Sequence, residues 1–348
     1  MVKNNRFMSL DGLKFLLFMG VFLFHAGYFP LGWGGVEFFL VITSFLLTNK
    51  ILNNDHNVDV HVGKMIVKRW RRLSPLFYLV VILLTIYYFS HEYSIPEDLW
   101  SFFVYGQNFF WLFNEGATKV PACFHFWYLP LDLYLFIVWI VILKYVRRER
   151  LRVVLLSLLV FSIAYRSCCS MFISNVAFSY TMPWGLFDTF ALGSLAALAM
   201  YEKKSFKTKA LLSSLAGFVL FVICTVSMCK IHETSVLKSI MLFSSAEYYG
   251  HHPMTISILL VMSLLAYSAV WFCVSERKQF GILSHSIMAK LGTWSYELYV
   301  LHFPVLYFTK TYVTDIKLLI ALISLIVTIF LSFLWDSRKL IIIKRNHE

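Results

Sequence analysis

The stretch Lys14-Phe15-Leu16-Leu17-Phe18-Met19-Gly20-Val21-Phe22-Leu23-Phe24-His25-Ala26-Gly27, continuing to Gly35-Val36-Glu37, decides the class of fold. It sets a cation, an imidazole and a carboxylate in a run otherwise apolar enough to lie in lipid. If Lys14 and His25 share one helix, they are three turns plus roughly 20° apart and about 16 Å separated along the axis. They then lie on one face at two depths. An ionisable group inside a bilayer costs roughly 3 kcal/mol or more, which makes each of these residues a functional candidate.

The remainder of the chain has the same character. Apolar residues make up 59% of the 348 and charged residues 14%, a balance that excludes an ordinary soluble domain. Aromatics at 18%, with 34 Phe and 10 Trp, suit lipid-facing surfaces and interfacial belts rather than base-stacking platforms. Apolar windows of spanning length predict about ten transmembrane helices, near 12–29, 34–52, 73–90, 126–145, 151–171, 184–201, 210–229, 254–274, 287–308 and 316–335. The expected architecture is an all-α polytopic membrane helix bundle, read as a single transmembrane domain over 1–348. Lys3 and Arg6 lead straight into the first span with no small-residue cleavage site, so that span is read as uncleaved.

The net charge of +12 is explained by topology. Of the 31 Lys and Arg, 25 fall in the termini and the links near 50–72, 144–152, 202–209 and 275–290. Only Lys119, Arg166, Lys230, Lys238, Lys310 and Lys317 fall on the other side. This is the positive-inside pattern of ten spans with both termini cytoplasmic, in a cytoplasmic (inner) membrane. Anionic headgroups, not nucleic acid, are the partner of such cations. Six cysteines show neither CxxC nor Cys/His spacing, so no metal and no disulfide framework is expected.

Two outer links are longer than the rest. That at 91–125 carries Glu92, Glu97, Asp98 and Glu115 and an aromatic run, Trp100 to Trp111, read as a re-entrant or interfacial segment. That at 230–253 carries His232, Glu233, Glu247, Tyr248, Tyr249, His251 and His252. Both are candidates for lining an outer opening, with His251 and His252 read as solvated. No internal repeat is evident, so the inverted-repeat signature of many transporters is missing. The link after span two ends in Lys68-Arg69-Trp70-Arg71-Arg72-Leu73-Ser74-Pro75. On a helix Arg69 and Arg72 share a face. Two guanidinium forks there suit a polyanion such as phosphate, and equally suit juxtamembrane anchoring.

Five separated stretches together resemble the membrane acyltransferases called acyltransferase family 3. The opening is Leu10-Asp11-Gly12-Leu13-Lys14 with His25. A run similar to GVDxFFxLSGF follows as Gly35-Val36-Glu37-Phe38-Phe39-Leu40-Val41-Ile42-Thr43-Ser44-Phe45. The RxxR motif is Arg69 to Arg72. The HxWxLxxE-like stretch is His125-Phe126-Trp127-Tyr128-Leu129-Pro130-Leu131-Asp132. The last is Ser295-Tyr296-Glu297-Leu298-Tyr299-Val300-Leu301-His302-Phe303-Pro304-Val305. Departures are Lys14 for Arg, Glu37 for Asp, Thr43-Ser44 for Ser-Gly and Asp132 for Glu. An Arg expected near the sixth span has no counterpart around Pro183 to Asp188, although Gly193 fits. The stand-alone form, without an extracytoplasmic esterase-like domain, is the expected one.

The resemblance implies transfer of an acetyl or other short acyl group from cytoplasmic acetyl-coenzyme A to a hydroxyl of an extracytoplasmic glycan. Such transfer needs a base for the hydroxyl proton and stabilisation of the developing oxyanion. His25 is the candidate base, against the alternative of a core histidine bonded across helices. Glu37, at matched depth, is expected to meet it and fix its tautomer, or to be a structural partner only. Lys14, Arg69 and Arg72 are expected to hold the coenzyme phosphates. The 16 Å from Lys14 to His25, estimated above, is about the reach of an extended pantetheine arm. His125, Trp127 and Asp132, with Tyr134 nearby, and Tyr296, Tyr299 and His302 are expected around the acceptor, an aromatic belt and helix packing being the competing roles. Pro304 is expected to kink its span. Glu297 has no clear family counterpart. A secondary transporter or exporter of a glycan, with intramembrane His and Glu as a proton relay, is the alternative of a different class.

Overall fold

Apolar runs of bilayer length have one way to satisfy their backbone without water, and here they take it as helices. The computed structural model describes residues 7–53, 61–91, 96–113, 118–173, 179–203, 207–243, 254–275 and 281–345, and all regular structure among them is helical. In chain order, α1 is Met8–His25 and α2 is Gly35–Leu52, entered through a 3-10 turn, Gly32–Gly34. Next come α3, Val62–Ser90, and two short helices, α4, Leu99–Phe103, and α5, Gln107–Phe113. A 3-10 segment, Pro121–Trp127, runs into α6, Tyr128–Tyr145, followed by α7, Arg148–Phe172. A second 3-10 turn, Pro183–Leu186, leads into α8, Phe187–Tyr201. The remainder are α9, Lys207–Ile231; α10, Val236–Leu242; α11, Met254–Ser275; α12, Ser286–Thr293; α13, Ser295–Tyr312; and α14, Lys317–Arg345.

Nine helices among the described residues are long and apolar enough to cross a membrane. Helix α13, over the expected ninth span, is not among them. Its 18 residues are about 27 Å long, so length is not the reason. Glu297, Tyr299 and His302 dilute its hydropathy, and all three are turned inward and buried. The expected span at 287–308 is also not one rod: α12 ends at Thr293 and α13 starts at Ser295. Of the outer-link residues, Glu92, Glu115 and the run Glu247 to His252 lie outside the described residues.

The distribution of side chains is that of a membrane bundle. Helices α2 and α8 are the most enclosed. They approach so closely that a Cβ on Gly193 would stand 2.0 Å from the Ser44 hydroxyl and 2.2 Å from the Val41 carbonyl. Thr48 and Ser194 bond across this contact at 2.7 Å, and Trp139 of α6 donates to Ser194 at 2.6 Å. Peripheral helices present large apolar side chains outward instead, among them Leu212, Leu215 and Phe218 on α9 and Ile326 and Phe330 on α14. Charged residues go inward in compensated groups, the arrangement lipid enforces.

The two ends of the bundle are tied separately. At the end where α1 begins, Arg152 pairs with Glu202 at 2.6 Å, and Asp336 accepts from Lys290 at 2.8 Å and from the Trp294 indole at 2.9 Å. At the other end α1 stops at His25 and the chain turns at Gly27, whose φ of +76° is a conformation open to glycine at little cost. Lys317 donates to the Gly27 carbonyl at 2.6 Å and lies over the Tyr28 ring. The aromatic link forms α4 and α5, which bury Phe102 and Trp111 and leave Trp100, Phe103 and Phe113 exposed. Asp98 is buried there, accepting from the Trp111 indole, the Thr118 hydroxyl and the Lys119 amide at 3.3, 2.6 and 3.1 Å. It organises the link. All six cysteines are free.

Candidate functional site

The basic segment after α2 is helical. Helix α3 begins at Val62, so Lys68, Arg69 and Arg72 lie in its first three turns, and Arg69 and Arg72 share a face as the three-residue spacing requires. That face closes a cavity of about 320 Å³ between α1, α2, α3, α6 and α13. Five cations line it: Lys14, Lys50, Lys68, Arg69 and Arg72, against a single carboxylate, Asp132. Lys14 also bonds Asp11 of its own helix at 3.1 Å. Arg69 bonds Asp132 at 2.5 Å and stacks over the Phe136 ring, and Arg72 has the Glu297 carboxylate of α13 within electrostatic reach. Tyr128, Tyr296 and Tyr299 line the remaining wall, and the Tyr296 hydroxyl donates to the Leu73 carbonyl.

Beyond Tyr299 the chemistry changes. The 3-10 segment Pro121–Trp127 buries Ala122, Cys123, His125 and Phe126 and runs into α6, and its last three carbonyls accept added bonds from other helices. Three side chains supply them: Tyr299 bonds the His125 carbonyl at 2.7 Å, Gln107 that of Phe126 at 3.0 Å, and Asn108 that of Trp127 at 2.9 Å. Thus α5 and α13 hold this segment and with it the His125 ring. Three imidazoles gather there. His25 Nδ1 lies 3.0 Å from His302 Nε2, and His302 Nδ1 lies 2.7 Å from the Tyr299 carbonyl. The His125 ring centroid is 4.9 Å from that of His302 and 6.4 Å from that of His25, with the Phe303 ring against His25 and His125. Pro304 has no N–H, so the Val300 carbonyl lacks its helical donor, and the His125 ring faces that carbonyl. Among the described residues no group of three His, Cys, Asp or Glu is disposed to hold a metal ion; His25 and His302 bond each other instead.

Two expected relationships are corrected. His25 was expected to meet Glu37, but its bond goes to His302. Matched depth does not mean matched azimuth. Glu37 is fully buried in the first turn of α2, facing the Tyr180 hydroxyl and the Arg166–Asp188 pair, while His25, the last residue of α1, turns to α13. Asp132 was expected with the outer acceptor residues. A buried carboxylate one turn into α6 needs a counter-ion, and Arg69 supplies it, so Asp132 belongs to the cation cavity together with Tyr296. Trp127 packs on Tyr180 with ring centroids 4.6 Å apart and goes with the Glu37 group rather than with the imidazoles. Tyr134 donates to the Tyr105 carbonyl and fixes the link before α5.

A buried ion pair was missed from the sequence. Arg166 of α7 and Asp188 of α8 are both fully enclosed and meet through two parallel bonds of 2.8 and 2.6 Å. Arg166 also donates to the Gly185 carbonyl, and Ser162 bonds Asp188 at 3.1 Å. The guanidinium sought around Pro183 to Asp188 thus arrives from the preceding helix. The available signal was one residue of each sign set in apolar runs. Lys50 and Lys68, which line the cavity, were also not singled out as binding residues.

The chain is thus a polytopic helical bundle with a cation-lined cavity on one side of Tyr299 and three clustered imidazoles on the other. The family model for the acyltransferase domain of acyltransferase family 3 matches residues 7–335, and the chain belongs to that family. Among curated relatives, a putative peptidoglycan O-acetyltransferase, YrhL of Bacillus subtilis strain 168, is 26% identical over 335 residues, covering 86% of this chain and 48% of the relative. The peptidoglycan O-acetyltransferase OatA of Listeria monocytogenes is 26% identical over 159 residues, covering 41% of this chain and 26% of the relative. The chain therefore spans about half or less of the length of these relatives. No solved structure matches it.

Proposed function

We propose that this protein is a membrane O-acetyltransferase that moves an acetyl group from acetyl-coenzyme A to a hydroxyl of a surface glycan. The observation that carries the reading is the junction at Tyr299: one face lines a cavity with five cations, while its hydroxyl and carbonyl hold His125 and His302 beside His25. Lys14, Lys50, Lys68 and Arg72 hold the phosphates of the coenzyme, and Arg69, fixed by Asp132, shapes the wall behind them. The thioester arm runs past Tyr128 and Tyr299 toward the imidazoles.

In the transfer His25 takes the proton of the acceptor hydroxyl as its oxygen adds to the thioester carbonyl. The carbon–sulfur bond then breaks, and the proton returns to the departing thiolate. His125, buried beside His25 and His302, is placed for the developing oxyanion or the acceptor. Trp127, with Tyr180 and Glu37 beside it, offers the indole and carboxylate that suit a saccharide. The cation asymmetry supports ten spans, α13 included, with both termini and the cavity mouth cytoplasmic and His25 toward the outer side of an inner membrane. The relatives' names favour peptidoglycan as the acceptor. A single transmembrane acyltransferase unit over 1–348 completes the reading.

The test is ester-linked acetate on peptidoglycan, measured by mass spectrometry in cells carrying the wild-type protein or His25→Ala at equal membrane level. Loss of acetate with the variant is expected. Unchanged acetylation removes His25 from the chemistry, and unchanged acetylation on deletion of the whole protein removes peptidoglycan as acceptor. Absence of any coenzyme A binding would favour an exporter instead.

A further inference from the structure

We infer that His302 is the positioning residue that fixes the tautomer of His25, leaving the basic nitrogen of His25 at Nε2. The inference rests on the reading of His25 as the base and adds which atom acts and what sets it. A carbonyl oxygen only accepts hydrogen bonds. The Tyr299 carbonyl, 2.7 Å from His302 Nδ1, therefore requires the proton of a neutral His302 ring at Nδ1. His302 Nε2 then carries a lone pair. His25 Nδ1, 3.0 Å from it, must be the donor. With its proton at Nδ1, a neutral His25 has Nε2 bare.

The surroundings keep this order from reversing. His302 is fully buried, with the rings of Phe18 and Phe22 from α1 against its own at centroid distances of 5.8 and 6.4 Å. The other tautomer of His302 would put a lone pair against the Tyr299 carbonyl and a proton toward His25. Both the backbone contact and the direction of the His25 bond would then change. The backbone carbonyl here has the orienting part that a carboxylate has in a catalytic triad, relayed through one additional imidazole. It orients the base without placing a charge in the membrane.

The device also explains the placement of Tyr299. Its hydroxyl holds the His125 carbonyl at 2.7 Å, so one residue of α13 sets the segment bearing His125 with its side chain and the His302–His25 relay with its backbone. Glu37, expected from the sequence to orient His25, is not needed for that purpose.

The experiment compares His302→Gln and His302→Leu with wild type and His25→Ala. Full-length protein in detergent is assayed with acetyl-coenzyme A and purified peptidoglycan fragments, with monodispersity and thermal unfolding recorded for each variant. Gln retains a side-chain carbonyl able to accept from His25 Nδ1, whereas Leu does not. The expected result is a kcat at least roughly 100-fold lower for His302→Leu, the low end of what a positioned base contributes. The KM for acetyl-coenzyme A stays within about twofold, and His302→Gln recovers most of the loss. Adding His302→Leu to His25→Ala costs nothing further. Equal losses in the Gln and Leu variants, folded or not, assign His302 to packing and overturn the inference, as does a normal kcat in His302→Leu. If His25→Ala itself stays active, the reading of the base falls, and the role of His302 falls with it.

Discussion

The cation cavity and the imidazole cluster share Tyr299 as a wall, yet they compensate buried polarity in opposite ways. In the cavity, five cations face one carboxylate, and Arg69 and Lys14 are held by Asp132 and Asp11. The cluster contains no carboxylate bond; His25 and His302 satisfy each other and a backbone carbonyl. A surplus of fixed positive charge suits a polyanion that brings its own counter-charge. Neutral rings with directed hydrogen bonds suit proton transfer, where a fixed neighbouring charge would bias the base toward one state. On the proposed function, the difference teaches that binding energy and chemistry are separated along α13, with affinity on one side of Tyr299 and turnover on the other.

The sharpest way to break that separation is His25→Ala. Transfer should fall by about 10²–10⁴-fold, the usual contribution of a positioned base, with the affinity for coenzyme A unchanged. A parallel loss of coenzyme affinity would merge the two regions into one. Arg69→Ala should act differently. It leaves Asp132 as an uncompensated buried charge, so thermal unfolding in detergent should show a loss of about 3–5 kcal/mol. Asp132→Asn in the same chain should restore much of it, and failure to do so would mean that Arg69 matters for something besides the ion pair. The smallest effect is expected at the wall itself. Tyr299→Phe removes one of the two donors to the His125 carbonyl, the Tyr128 amide remaining, and should cost about 0.5–1.5 kcal/mol of stability. Any fall in turnover should follow from displacement of His125, with donor affinity preserved.

Much of the architecture was legible because lipid leaves few choices. Hydropathy located the spans within several residues, with α3 the main exception: its basic first turns, through Arg72, belong to the helix rather than to a loop. That extension could not be read from apolarity, since the segment is held by a counter-ion, Asp132, 63 positions away. The same limit hid the partner of His25. Depth follows from counting residues, but the direction in which a side chain leaves its helix depends on how neighbouring helices are rotated. Depth alone thus pairs His25 with Glu37, whereas His25 bonds His302 and Glu37 faces Tyr180. His302, at the right spacing behind Tyr296 and Tyr299, was grouped with acceptor residues because nothing local reveals that its ring bonds back to the carbonyl three residues earlier. Arg166 and Asp188 were visible as isolated charges in apolar runs, and only the crossing of α7 with α8 joins them.

The most direct test of the separation is equilibrium binding of coenzyme A to the purified full-length protein, compared across wild type, His25→Ala and Lys68→Ala/Arg72→Ala. Saturable binding is expected for the first two with equal affinity. Removal of the two cations should weaken it by roughly tenfold per charge-assisted contact and flatten its salt dependence. Absence of saturable binding to the wild type, or binding indifferent to Lys68 and Arg72, would contradict the assignment of the cavity to the donor.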